Sequence, residues 1–209
     1  MKILQFLQIF QIYPVFSTLD IEKHFPNFDR ENLLHWQEKD YIQRLRNGWY
    51  RVKQDLKSPL DLYFIANKIY TPSYVSLESA FAHYGWIPEG VFSTISLSTK
   101  KTVTFQTPVG QFQYQKIKAN LFFGYRLLKT PGGFGVKLAD PEKALLDYLY
   151  FHPNLQSIED FEALRLNTWR MKEDLDAETL HAYAALFDST VMNKRLKIFQ
   201  EFVTYAEIS

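Results

Sequence analysis

Three arginines, Arg44, Arg46 and Arg51, flank the dipeptide Asn47-Gly48. Guanidinium groups are the side chains that neutralise and bidentately grip phosphates. Asn-Gly is the turn pair that tolerates positive φ, and here it separates two alternating runs, 41–45 and 49–52. That pattern is the strongest short-range signal of a β-hairpin. The predicted object is a basic hairpin able to lie on a nucleic-acid backbone, and the plainer alternative is a solvated basic hairpin. Just upstream, Arg30, Asn32, His35 and Lys39 fall on one predicted helix and could reach DNA, whereas Asp29, Glu31 and Glu38 on the same segment would be repelled by phosphates. Glutamate reading cytosine N4 is a rarer contact than arginine on guanine.

A second basic feature lies further along. Residues 90–139 hold seven Lys and Arg and no Asp or Glu, against seven basic and thirteen acidic residues from 140 to 209. Strands deplete acids, which explains part of the asymmetry. The sharper reading is a basic surface facing an acidic partner, with Lys100, Lys101, Lys116 and Lys118 as its contacts.

Residue types that would support catalysis are sparse. The chain has no cysteine, which removes disulfides, thiolate metal sites and a cysteine nucleophile together. His24, His35, His83, His152 and His181 stand singly, without metal-ligand spacing. Gly132-Gly133-Phe134-Gly135 lacks the phosphate-loop pattern and reads as a turn, and no serine sits in a Gly-x-Ser-x-Gly elbow. A metal-dependent nuclease wants carboxylates on strands. Here Asp140 and Glu142 flank Pro141, which is helix-start chemistry. No catalytic residue, metal or cofactor is expected.

The elements that must carry these side chains follow from periodicity. Helices are predicted over residues 2–13, 17–25 and 27–39, the second capped by Ser17 or Thr18 and the third by Asn27 or Asp29. With the hairpin they make a winged helix-turn-helix, the third helix entering the major groove. A polar run ending in Pro59 marks a boundary, giving domains 1–56 and 57–209. The second domain reads as helices over 60–69 and 76–84, then alternating runs from 91 to 137, then helices over 142–151, 159–167, 177–187 and 191–206. The fold class is α+β: a winged helix-turn-helix, then a mixed α/β domain with a small, mostly antiparallel sheet and a helical tail. Aromatic residues make up 17% of the chain, ample for a packed core. Glutamines at 5, 8 and 11 break the apolar N-terminus, and no apolar run reaches the roughly 18 residues a span needs. A cytoplasmic protein that does not enter membranes is expected.

Several ordered blocks resemble the AbiEi antitoxin family. They are Tyr74-Val75-Ser76-Leu77-Glu78-Ser79-Ala80 with Gly85-Trp86-Ile87-Pro88, the stretch 104–114, Leu121-Phe122-Phe123-Gly124-Tyr125, and Ala139-Asp140-Pro141-Glu142-Lys143-Ala144-Leu145-Leu146-Asp147. The hairpin Leu45-Arg46-Asn47-Gly48-Trp49-Tyr50-Arg51 is similar to the end of that family's winged helix. The resemblance spans roughly residues 16–151. It implies a type IV toxin–antitoxin setting in abortive infection and phage defence. The winged helix would bind and repress the operon's promoter DNA, and the second domain would counter a nucleotidyltransferase toxin of the AbiEii type. The competing expectation is a stand-alone transcriptional regulator whose second domain senses a ligand or forms a homo-oligomer. A nucleic-acid-processing enzyme is disfavoured by the missing carboxylates.

Overall fold

Proline and serine punctuate the first fifty residues and set their elements. In the computed structural model, which describes residues 3–88, 90 and 92–206, helix α1 (Ile3–Phe10) precedes a two-residue strand β1 (Phe16–Ser17). Lys2 and Val91, where the sequence starts the first helix and resumes alternation, lie outside the described residues. Ser17 then caps α2 (Thr18–His24): its hydroxyl accepts from the Asp20 amide at 3.1 Å, and the Asp20 carboxylate accepts from the Ser17 amide at 2.8 Å. Helix α3 (Glu31–Glu38) starts at Arg30, which has no side-chain cap; Asp29 instead accepts from the Glu31 amide at 2.9 Å. Strands β2 (Ile42–Arg46) and β3 (Trp49–Val52) form the expected hairpin, with Gly48 at φ 76° in the turn. β1 adds to β3 as a third antiparallel strand, giving the order β1-β3-β2.

Phe6 and Phe10 of α1 stack at 4.6 Å, and Phe6 meets Trp36 of α3 at 4.6 Å. With Phe16, Ile21, Leu33 and Ile42 they make one aromatic-rich core. Leu4, expected on the same apolar stripe, is 70% exposed.

The rest of the chain builds around a second core. Helices α4 (Pro59–Ile69) and α5 (Leu77–Tyr84) bracket strand β4 (Ser73–Val75), and Gly85 ends α5 in the left-handed conformation. Strands β5 (Ser93–Ser98), β6 (Val103–Thr107), β7 (Gly110–Lys116), β8 (Tyr125–Lys129) and β9 (Gly135–Ala139) complete a sheet of order β6-β7-β5-β4-β9-β8. The sheet is larger than the sequence predicts, though three of its five pairings are antiparallel. It has six strands, and β5–β7 and β4–β9 pair in parallel. Alternation identifies strands but not their partners. Here β7 takes the place beside β5 because its Phe112 and Tyr114 are fully buried and the Tyr114 hydroxyl donates to the Ala66 carbonyl of α4 at 2.8 Å. Val103 and Phe105 of β6 are only half-buried, which suits an edge.

Helices α6 (Pro141–Phe151), α7 (Ile158–Glu162), α8 (Thr168–Asp174), α9 (Ala177–Ala185) and α10 (Thr190–Tyr205) follow. The helix expected over 159–167 is instead the shorter α7, and α8 is a separate helix capped by Asn167. Asp140 caps α6 by accepting from the Lys143 amide at 3.1 Å. Within α6, Lys143 and Asp147 form a completely buried ion pair. Asp147 also accepts from Ser76 at 2.8 Å and from the Tyr74 hydroxyl at 3.0 Å, so the network ties α6 to β4. Glu142 does not join the cap; it accepts from the Asp176 amide at 2.8 Å. The protein is thus a mixed α+β structure, with two sheets among the described residues. Among the described residues no helix is long and apolar enough to cross a membrane.

Candidate nucleic-acid interface

Helix α3 and the β2–β3 turn face one another across a groove of about 420 Å³. Arg30, Leu34 and Gln37 line it from α3, one stripe at helical spacing, and Arg44, Asn47 and Tyr50 line it from the hairpin. Arg44 is exposed and donates to the Asn47 side-chain carbonyl at 3.0 Å, which holds its guanidinium at the turn. Arg30 is exposed and paired with Glu22 at 2.5 Å. An exposed pair of this kind is worth little, so Arg30 can exchange Glu22 for a stronger anion. Thr18 of α2 closes the groove beside Gly48, whose amide carbonyl accepts from the Thr18 amide at 3.0 Å.

The other residues predicted on α3 divide. His35 and Lys39 are exposed, Lys39 at the C-terminal end. Asn32 is half-buried and donates to the Asp29 carbonyl at 2.9 Å, a helix-start role. The outward surface also carries Glu31, Glu38 and the 64%-exposed Leu34. Helical periodicity places Leu34 outward, as found, but turns Gln37 toward the core, whereas Gln37 is half-buried and lines the groove with Leu34. The spacing from Arg30 was the signal that could have found them.

Of the three hairpin arginines only Arg44 is exposed: Arg51 is buried and Arg46 half-buried, which corrects the expected basic hairpin. Arg51 is only 4% exposed; it donates to the Gln43 side chain at 3.3 Å and to the Gln54 carbonyl at 2.5 Å. Burial lowers its pKa, with Asp61 and Asp55 opposing that shift. Simple alternation puts Arg51 on the open side of a two-stranded ribbon, but here that side is covered. Arg46 donates to the Ile69 carbonyl, and its guanidinium lies over Phe105 at 4.5 Å and Tyr70 at 5.4 Å. A register shift between Arg44 and Arg46 explains why two residues apart in a strand serve different surfaces.

Arg46 thereby bolts the hairpin to the second sheet at the end where the lysines gather. Lys100 lies 5.5 Å over the same Tyr70 ring, and the Tyr70 hydroxyl donates to the Lys101 carbonyl at 2.8 Å. Lys116 ends β7 in register with Ser98, its amide donating to Thr102 at 3.1 Å, and Lys118 precedes a 3₁₀ turn at Ala119–Leu121. All four lysines are exposed. Of the predicted basic residues, Arg30 and Arg44 line the groove, and Arg46 and Lys100 share the Tyr70 ring at the junction with the second sheet.

No family model matches this chain, and no curated protein matches it.

Proposed function

We propose that the protein is a DNA-binding transcriptional autorepressor and antitoxin of the AbiEi type, acting in the cytoplasm. In this reading α1–α3 with the β2–β3 ribbon are a winged helix-turn-helix, α3 is the recognition helix and the Arg44–Asn47 turn is the wing. The observation that carries it is the groove where Arg30, Arg44 and Asn47 converge. Lys100, Lys101, Lys116 and Lys118 extend the phosphate contacts beyond the wing. The antitoxin half rests on the sequence resemblance and assigns a nucleotidyltransferase toxin as the partner of the second domain.

Titrating labelled duplex from upstream of the protein's own gene, against random duplex and at two salt concentrations, tests the repressor half. Preferential, salt-sensitive binding is expected; equal binding to both duplexes removes it. Co-expression with a neighbouring nucleotidyltransferase tests the other half, and unrelieved toxicity contradicts it. The exposed Glu31, Leu34 and Glu38 on α3 favour a second reading, in which the winged helix is a protein-docking module. Absent or merely non-specific duplex binding selects that one.

A further inference from the structure

Behind the hairpin turn lies a second, larger cleft of about 550 Å³, between α2 and the turn on one side and α4 and the β8–β9 turn on the other. Its size is that of a small-molecule site, and Tyr13, Trp49, Phe64 and Phe134 give it aromatic wall among polar residues. Tyr13 and Phe134 approach at 5.4 Å and Phe134 and Phe64 at 5.1 Å, so a run of rings crosses from the first core to the second. Trp49, half-buried, adds a further flat surface.

The polar groups in the cleft are unequal in charge. Asp20, the one carboxylate in the lining, is spent on capping α2 through the Ser17 amide and hydroxyl, at 2.8 and 2.7 Å. His24 is tied to the Asp20 carbonyl at 2.9 Å. Lys68 of α4 is exposed at the edge of the cleft, its ammonium 5.3 Å over the Phe64 ring; among the described residues no carboxylate lies within ion-pair distance of it. Lys23 stands on the opposite wall, 4.0 Å from Asp20. Flat apolar walls with an unmatched ammonium at the rim select a planar ring bearing one negative group.

We propose that this cleft binds a small aromatic anion, such as an aromatic carboxylate, and that its occupancy alters the nucleic-acid groove. The coupling has a stated physical element: Thr18, Asn47 and Gly48 line both spaces, so a ligand in the cleft touches the back of the turn whose front carries Arg44. The coupling, though not the binding site, rests on the nucleic-acid reading above.

Calorimetric titration of the full chain with 2-naphthoate, and with 2-naphthamide as its neutral counterpart, tests the site. Saturable one-to-one binding of naphthoate is expected, with naphthamide about tenfold weaker. Lys68→Gln, a surface change that leaves the circular dichroism spectrum intact, removes that preference, and Phe134→Ala weakens both compounds. Equal affinity for the two compounds, no saturable naphthoate binding, or an unaltered preference in Lys68→Gln overturns the site. Repeating the duplex titration with saturating naphthoate tests the coupling: a severalfold change in duplex affinity is expected, and no change overturns it. If the protein binds no duplex at all, the nucleic-acid reading and the coupling fail together, while the naphthoate titration still decides the site.

Discussion

Replacing Lys143 by Met isolates what the buried network contributes. Lys143 and Asp147 have no solvent exposure. The ammonium also donates to the Tyr74 hydroxyl at 2.9 Å and lies 5.1 Å over Phe123 and 5.3 Å over Phe187. Methionine keeps most of the stem's volume and fits those rings, so the loss is chiefly electrostatic. Asp147 would retain the Ser76 and Tyr74 donors but lose its counter-charge. Burial already pushes the Asp147 carboxyl up and the Lys143 ammonium down, and their mutual attraction opposes both shifts. Removing one partner of such a pair costs about 3–5 kcal/mol, a large part of a total stability on the order of 5–15 kcal/mol. With a urea m-value of roughly 2–3 kcal/mol/M, the unfolding midpoint falls by about 1–2 M. The orphaned carboxyl has a folded-state pKa raised above its unfolded value. The variant's stability therefore declines further as pH rises from 5 to 8, because the unfolded state ionises while the folded state resists. Adding Asp147→Asn, which keeps an acceptor for Ser76 and Tyr74 without the charge, restores part of the loss and flattens the pH response. Urea unfolding followed by tryptophan fluorescence at pH 5 and pH 8 reads all of this. A single variant within about 1 kcal/mol of the parent, or a double variant no better than the single, refutes the reasoning.

Three further outcomes follow from single side chains. Arg51→Ala lowers stability by about 1–3 kcal/mol through its lost buried hydrogen bonds and leaves duplex binding by the folded fraction unaltered; a binding loss without destabilisation would return Arg51 to the interface. Gly124 has φ 67°, and a Cβ there would sit 3.0 Å from Lys143 and Tyr183 side-chain atoms, so Gly124→Ala costs about 2–4 kcal/mol; an unchanged calorimetric Tm contradicts this close packing. His152 and Glu78 meet at 3.3 Å. Burial works against the imidazolium, but Glu78 and the Tyr148 carbonyl outweigh it and raise the His152 pKa. Burial likewise works against the Glu78 carboxylate, yet His152 holds its pKa down. The pair's stabilisation is lost as pH rises through the raised His152 pKa and as it falls through the depressed Glu78 pKa, so it is fullest between about 4.5 and 6.5. Glu78→Gln should be most destabilising near pH 5.5 and least near pH 8, and a pH-independent penalty rules out the linkage.

Local chemistry was the legible part of this sequence. Ser17 with Asp20, Asp140 with Pro141, Gly85 and Asn47-Gly48 each set an element boundary within a few residues, and the structure has those boundaries where the sequence puts them. Long-range pairing was not legible. β1 is two residues long and exists because β3 offers it a free edge, and β7 lies parallel to β5 because of what Phe112 and Tyr114 pack against. The same limit governs the interface. Arg44, Arg46 and Arg51 are indistinguishable by type and spacing, and only the register shift and the covering second sheet separate one exposed cation from two structural ones. Lys143 and Asp147 are opposite charges four residues apart, a spacing common on helix surfaces, and only their shared burial with Tyr74 makes them a core network.

The slope of log binding constant against log salt concentration, measured for the intact chain and for Arg44→Ala on the upstream duplex, tests the central claim most directly. Each phosphate contact contributes about 0.9 to that slope. The account predicts a specific complex whose slope becomes shallower by about one such contact in Arg44→Ala. Identical slopes in the two proteins would take the turn, and with it the groove between α3 and the hairpin, out of the interface.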